Sequence, residues 1–421
     1  MFNIIDTLHA QSAKEQGFLY GQLCSAQILH SRETYSRLFA NCGISWQQAC
    51  GKALAMQAAI SALDPSFLDE MRGIAQGAGV RYEDILALNC RTEILPAEYL
   101  GAAATQANNK SPLASDRQRI SPAQRQAASV FGEGECTALA LMPAASTDGK
   151  SWLAQNWDWV GTQRQALVLL KGRAWSRPKS EESARAEVEA SAGVSVGALI
   201  PGREIPGREF ITLTEAGMLA KIGLGIGPEL ERVAIGLNIV RSRCDGEKPA
   251  IPVHALLRHL LTQPSLEAIR ARMNQLASGF GFGAGSNVPC TDTAGEVASL
   301  EVSPRGWQEW PAENNVMTHT NHFLSEPLKP IQQPTSGLLS SEPRLATAKR
   351  HSLKRPIDRL DLEALLRDES EGFLSVCRHP NPELAPDASM ESVAGVIINV
   401  TDRAMWVAPD VPSKVAFERV R

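Results

Sequence analysis

The chain has 421 residues, 43% hydrophobic and 21% charged, with a formal net charge of −4, a composition that suits a globular protein with a sizeable core. Its 42 Lys plus Arg and 46 Asp plus Glu form no basic stripe, which speaks against electrostatic capture of nucleic acid. No window approaches the roughly 18 uninterrupted apolar residues of a membrane span. The start, MFNIIDTLHAQSAKEQG, lacks the basic and apolar regions of a leader, so a cytoplasmic protein with no membrane partner is expected. The eight cysteines include no C-x-x-C pair, so neither a disulfide framework nor a metal site is expected.

A prior of roughly 150 residues per domain gives about three domains, although a two-sheet sandwich can exceed it as one unit. The first hundred residues read as helical. Asp64-Pro65 opens a helix, Phe67, Met71, Ile74 and Ala75 keep to one face, and Gly77 and Gly79 close it. A short helix fits Tyr82 to Leu88. Residues 101–130, rich in Ala, Gln and Ser, read as a mobile linker.

Strands fit Thr137 to Met142 and Trp152 to Val160, with the Asp148-Gly149 turn between them. Further strands fit Ala166 to Leu170, Glu209 to Thr214, Gly217 to Ile222 and Val233 to Val240, with residues 171–208 read as an insertion. Helices are predicted over 252–263 and 265–277, and hairpin strands around Gly295 to Val302 and Val316 to Thr320. The chain closes with helices over 342–354 and 360–368 and strands Ser392 to Val400 and Ala404 to Val407. Strands come in runs and do not alternate with helices, which predicts an α+β fold with antiparallel sheets covered by helices, four layers in αββα order.

A linker that runs straight into a Cys opening a strand is an unusual setting for a structural thiol. If the chain is cut between Glu135 and Cys136, one residue supplies both the nucleophilic thiolate and, as base, a new α-amine of pKa roughly 7.7–8.0. The pieces would be a helical segment, 1–135, and a catalytic portion, 136–421, and they should stay associated because strands of the second need helices of the first.

GECTALALMP followed by LAQNWDW resembles the isopenicillin N acyltransferases and their cysteine-type N-terminal-nucleophile relatives. The resemblance extends through DEMRGIAQGAGVRYEDILALNCRTEIL with its Arg91-Thr92-Glu93 triplet, then FITLTEAGMLAKIG, SLEVSP, VMTHTNHFL and the final strand pair. It implies the αββα sandwich with two antiparallel sheets, and Cys136 as the processed nucleophile. Asp158 is implied as the carboxylate near the new N-terminus and Asn321 as the side-chain amide donating to the oxyanion. Ser303 matches a serine close to the cut, and Asn238 a supporting amide. The implied reaction cleaves or transfers the acyl group of a small amide or thioester through a thioester acyl-enzyme. No cofactor is expected, with acyl-CoA kept as a candidate co-substrate. Departures lie at Glu135, where relatives often carry Gly, at Gly223-Leu224-Gly225, where they carry Gly-x-Asn, and at Met390-Glu391, where the acyltransferases place an arginine.

Other readings stay open. Gly193-Val194-Ser195-Val196-Gly197 spells the nucleophile elbow of serine hydrolases, but a charged tract precedes it and Pro-Gly turns follow, so it reads as chance. His319 and His322 lack a third metal ligand at a recognised spacing. GFGFGAGSN at 279–287 reads as a flexible loop. A non-processed, non-catalytic relative that binds a small ligand is the remaining alternative, favoured by Glu135 and Gly225.

Overall fold

In the computed structural model, which describes residues 3–95, 136–176, 204–227, 231–334, 338–382 and 389–421, capping chemistry places the N-terminal helices as predicted. The helices are α1 (Ala13–Leu23), α2 (Ser25–Asn41), α3 (Trp46–Ala55), α4 (Gln57–Leu63), α5 (Pro65–Ala78), α6 (Tyr82–Asn89) and α7 (Arg91–Ile94). The Asp64 carboxylate accepts the Ser66 N–H at 2.9 Å, Pro65 occupies the first helical position, and Gly79 closes α5 in the left-handed region at φ 69°. Gly77 does not end the helix; its bare face receives α1. A Cβ on Gly73 or Gly77 would lie 2.0 or 2.1 Å from the Lys14 or Phe18 carbonyl oxygen, and Gly17 and Gly21 leave matching space for α5. The two helices therefore cross backbone to backbone.

The strands are β1 (Ile4–Asp6), β2 (Cys136–Leu141), β3 (Trp152–Val160), β4 (Leu167–Ser176), β5 (Ile205–Glu215), β6 (Ile222–Ile226), β7 (Arg232–Ile235), β8 (Asn238–Ile239), β9 (Ser286–Asp292), β10 (Val297–Ser303), β11 (Gly306–Trp310), β12 (Val316–His319), β13 (Met390–Asn399), β14 (Ala404–Ala408) and β15 (Glu418–Arg419). They form a nine-stranded sheet, β1-β4-β5-β6-β7-β9-β10-β11 with β8 beside β9, and a six-stranded sheet, β12-β2-β3-β13-β14-β15. Every pairing is antiparallel except that of the short edge strand β1 with β4, which is parallel and corrects the expectation of two purely antiparallel sheets. The sheets meet through β2, β3 and β12 against β8, β9 and β10. Helices α1, α8 (Val253–Leu261) and α9 (Leu266–Ser278) pack on the nine-stranded sheet, and α10 (Leu338–His351) and α11 (Arg359–Leu366) on the six-stranded one. The α+β, four-layer reading holds.

Three local expectations fail for physical reasons. Gly217 to Ile222 is not a strand: Gly217 takes φ 94°, and Asn89 pins the turn by donating to the Gly217 carbonyl and accepting the Leu219 N–H, both at 2.9 Å. The apolar run is buried as coil, which hydrophobicity alone cannot tell from a strand. The strands around Gly295 and Val316 do not form a hairpin, because β10 pairs with β9 and β11 while β12 pairs with β2 in the other sheet. The glycine-rich stretch is not a free loop: Phe282 and Ala284 are buried and it runs into β9, whose Pro289 hides the strand from pattern reading. The insertion read over 171–208 is narrower, since β4 reaches Ser176 and β5 begins at Ile205. Glu135, the linker and Ser195 lie outside the described residues.

Candidate active site

Pleat alternation sorts the start of β2. Cys136 and Ala140 join the core between the sheets, with Leu153, Trp157 and Trp159 of β3, whereas Leu139 and Leu141 face α10 and α11 with Trp152 and Ala154. Cys136 stands directly opposite Trp157 in the ladder and is 1% exposed.

The main chain of Cys136 is held on both sides. Its N–H donates to Asn321 Oδ1 at 2.7 Å, and its carbonyl accepts Arg344 Nη1 at 2.6 Å. Arg344, from α10, also donates to Thr137 Oγ1 at 3.0 Å and through Nη2 to Asn321 Oδ1 at 2.9 Å. The sequence-predicted amide thus meets the sequence-predicted nucleophile, but as an acceptor on its nitrogen. Asn321 Nδ2 donates to the Ile239 carbonyl at 2.8 Å. The segment carrying Asn321 is fixed from two sides. Ser341 Oγ accepts the Asn321 N–H at 2.8 Å, and buried Glu301 accepts from Ser325 N at 3.0 Å and binds His319 Nε2 at 2.8 Å. His319 Nδ1 faces the Thr320 carbonyl and His322 Nδ1 faces Ser341 Oγ, so the two histidines serve this scaffold.

Asp158 follows Trp157 and so points to the opposite face of β3, where its cross-strand partner Ser392 donates to Oδ1 at 2.6 Å. Its other oxygen, Oδ2, is buried with no hydrogen-bond partner among the described residues. Burial pushes the Asp158 carboxyl up to about 7, against the opposing pull of Arg344, the Ser392 bond and Lys221. The Cys136 thiol is also raised by burial. Lys221, a hydrogen bond from the Asp158 backbone amide and Arg344 act the other way.

Lys221 and Arg344 were missed in the sequence. Lys221 leaves the buried coil before β6 with its Nζ 3.5 Å from the centroid of the Trp157 ring, and burial draws it down to about 7. The signal was available as a single cation inside the apolar run GMLAKIG. Arg344 offered none, since nothing in SSEPRLATAKRH separates it from its solvated neighbours.

Asn238 belongs to a polar row that crosses the sandwich: its Oδ1 accepts Gln155 Nε2 at 3.1 Å, its Nδ2 donates to Asn287 Oδ1 at 3.2 Å, and Asn287 Nδ2 donates to Ser299 Oγ at 2.6 Å. That row fixes β8, whose Ile239 carbonyl holds Asn321. Ser303 caps its own hairpin, donating to the Gly306 carbonyl and accepting the Arg305 N–H, both at 3.2 Å. Of the Arg91-Thr92-Glu93 triplet, Arg91 pairs with buried Glu215 at 3.0 Å over the Trp159 ring, and Glu93 accepts the Val253 N–H at 2.8 Å, tying the helices to the nine-stranded sheet. The departure at Gly225 has a steric cause, because any Cβ there would lie 1.8 Å from the Leu261 carbonyl oxygen. Where an arginine was expected, Glu391 pairs with Arg164 at 2.8 Å. Among the described residues, Glu369, Cys377 and His379 could together approach a metal ion, and here His379 Nε2 lies 2.6 Å from Glu369 Oε1 and 3.2 Å from Ser413 Oγ.

Among solved structures the chain is similar to penicillin V acylase from Agrobacterium tumefaciens, at 15% identity over 65% of this chain and 82% of that one, with a TM-score of 0.39. It is also similar to a mutant conjugated bile acid hydrolase from Clostridium perfringens, at 9% identity over 68% and 96% of the two chains, with a TM-score of 0.37. Likenesses this distant say nothing of substrate. No curated protein matches the chain. The family profile for acyl-coenzyme A:6-aminopenicillanic acid acyl-transferase matches residues 145–408, a span that holds Asp158, Asn238, Ser303 and Asn321 and begins after Cys136. With well over half of its length matched, the chain belongs to the acyl-coenzyme A:6-aminopenicillanic acid acyl-transferase family.

Proposed function

We propose that the chain cuts itself between Glu135 and Cys136 and then works as a cysteine amidohydrolase or acyltransferase on a small amide. The observation that carries this reading is the frame around Cys136. Its nitrogen rests on Asn321 and its carbonyl on Arg344, close to a buried carboxylate, Asp158, one oxygen of which has no hydrogen-bond partner among the described residues. A buried carboxylate oxygen left without a partner is costly, and a new ammonium group at Cys136 is the kind of ligand it suits.

After the cut, the α-amine of Cys136 takes the thiol proton and the thiolate attacks the substrate carbonyl carbon. Proton transfer of this kind contributes about 10²- to 10⁴-fold. Asn321 Nδ2, turning from the Ile239 carbonyl, and backbone N–H groups would hold the oxyanion, at about 10²- to 10³-fold for one such donor. The amine leaves with the proton, and water or a second amine resolves the thioester. Hydrolysis is favoured over transfer because Glu391 stands where the acyltransferases place an arginine. Acyl-CoA is a candidate co-substrate, and the 1–135 and 136–421 pieces remain associated in a cytoplasmic protein. No described helix is long and apolar enough to cross a membrane.

The test is acid quenching during turnover of a panel of small N-acyl amides and acyl-CoA thioesters, followed by mass analysis. An acyl adduct on the peptide beginning at Cys136 is expected. Turnover with an adduct elsewhere, or unchanged turnover by Cys136→Ala, rejects the reading.

A further inference from the structure

The mechanism above draws its base from an α-amine that does not exist until the chain is cut. In the continuous chain the Cys136 nitrogen is an amide, donating to Asn321, and cannot accept a proton. Some other group must take the thiol proton for the first event. His319 has both ring nitrogens engaged, by Glu301 and the Thr320 carbonyl, and burial holds His254 well below the usual imidazole range, a poor proton acceptor.

We propose that Lys221 is the base that takes the Cys136 thiol proton before cleavage, so that self-processing and turnover use different amines. The inference rests on the self-cleavage reading. Its geometric basis is the ladder: directly opposed residues of an antiparallel pair hold their side chains side by side on one face. Lys221 Nζ lies 3.5 Å from the centroid of Trp157, the residue directly opposed to Cys136. The lysine is 1% exposed, and its Nζ lies over aromatic rings, 3.5 Å from the Trp157 centroid and 5.7 Å from that of Trp159. Three of the large buried arginines bond to oxygens: Arg91 and Arg258 are paired with carboxylates and Arg344 with carbonyl oxygens. An aromatic face offsets only part of the cost of burying an ammonium, so the neutral amine, which can receive a proton, is favoured.

Five titratable groups bear on it: Cys136 and Asp158 from the six-stranded sheet, Arg91 from α7, Glu215 from β5 and His254 from α8. Cys136 is the largest charge acting on Lys221, and Lys221 the largest acting on Cys136. In the step, Nζ accepts the thiol proton and the thiolate forms a C–S bond to the Glu135 carbonyl carbon. Collapse of the tetrahedral adduct breaks the C–N bond as the ammonium returns its proton to the Cys136 nitrogen. Water then hydrolyses the thioester, leaving the Glu135 carboxylate and the free thiol.

The experiment follows loss of the full-length species by intact mass, from pH 5.5 to 9, for freshly synthesised wild type, Lys221→Met and Lys221→Arg, with circular dichroism to confirm folding. Wild-type cleavage is expected to accelerate through about pH 7 and level off. Both variants are expected to slow by about 100-fold or more, with that inflection lost. Lys221→Arg keeps a cation but cannot accept a proton, so it separates base from charge even if the Met variant misfolds. Cleavage of a folded variant at the wild-type rate, or with the wild-type inflection, overturns the inference and leaves the self-cleavage reading standing. A wild-type chain that is never cut overturns both.

Discussion

Arg258 and Lys221 are both cations sunk in the same sandwich, and their surroundings are opposite. Arg258 Nη2 meets both oxygens of Glu70, at 2.8 and 2.6 Å, Nη1 donates to the Leu219 carbonyl at 2.8 Å, and the guanidinium lies 3.6 Å from the centroid of Phe210. Lys221 Nζ lies over an aromatic face, while nearby Asp158 keeps one oxygen without a hydrogen-bond partner among the described residues. In the first region burial also works against both charges, raising the Glu70 carboxyl and lowering Arg258, but each has the other as a hydrogen-bonded partner, and the pair acts as a strut between α5 and α8. In the second no cation–carboxylate hydrogen bond joins the two among the described residues, and burial moves Asp158 up and Lys221 down, each to about 7. Satisfied buried charge fixes structure; unsatisfied buried charge is what proton transfer can use.

The comparison breaks if the strut matters to chemistry or the site matters only to stability. Glu70→Ala strands Arg258 and is expected to cost about 3–5 kcal/mol in urea unfolding. The fraction that folds should still be cut at the wild-type rate, and a folded but uncut variant would remove the distinction. Asp158→Asn is expected to lower kcat/KM by about 10²- to 10³-fold, as for loss of one charge-stabilising group, with far less effect on the unfolding midpoint. The reverse pattern would make Asp158 a strut as well.

The smallest effect is in pH. Folding raises the Asp158 pKa from 3.8 to about 7, so the folded chain binds the extra proton between those values. The stability this contributes is full at the acid end and is lost as pH rises through about 7. Asp158→Asn should therefore gain on the wild type in urea midpoint between pH 5 and pH 8. A difference that does not move with pH would show the carboxyl to be ionised throughout.

Much of the frame was legible in the sequence because it rests on local chemistry. Asp64-Pro65 and Gly79 bound α5, turns at Asp148-Gly149 and Thr401-Asp402-Arg403 separate the strand-like runs of β2 and β3 and of β13 and β14, and Cys136 opens an ordered strand. Asn321, expected from the resemblance as donor to an oxyanion, lies beside Cys136 and serves as acceptor to its nitrogen. What stayed hidden depends on neighbours remote in sequence. Gly77 looks like a helix end until α1 is known to press on it, and GMLAKIG looks like a strand until Asn89 is known to pin its turn. Lys221 and Arg344 become part of the site only when two sheets and a late helix converge on one cysteine.

The most direct test of the central claim is an intact-mass comparison of wild type and Cys136→Ala under denaturing conditions. The account predicts two wild-type species, residues 1–135 and residues 136–421 with Cys136 at the new N-terminus, and one uncut species for the variant. A single 421-residue species from both proteins, or a variant cut like the wild type, would contradict it.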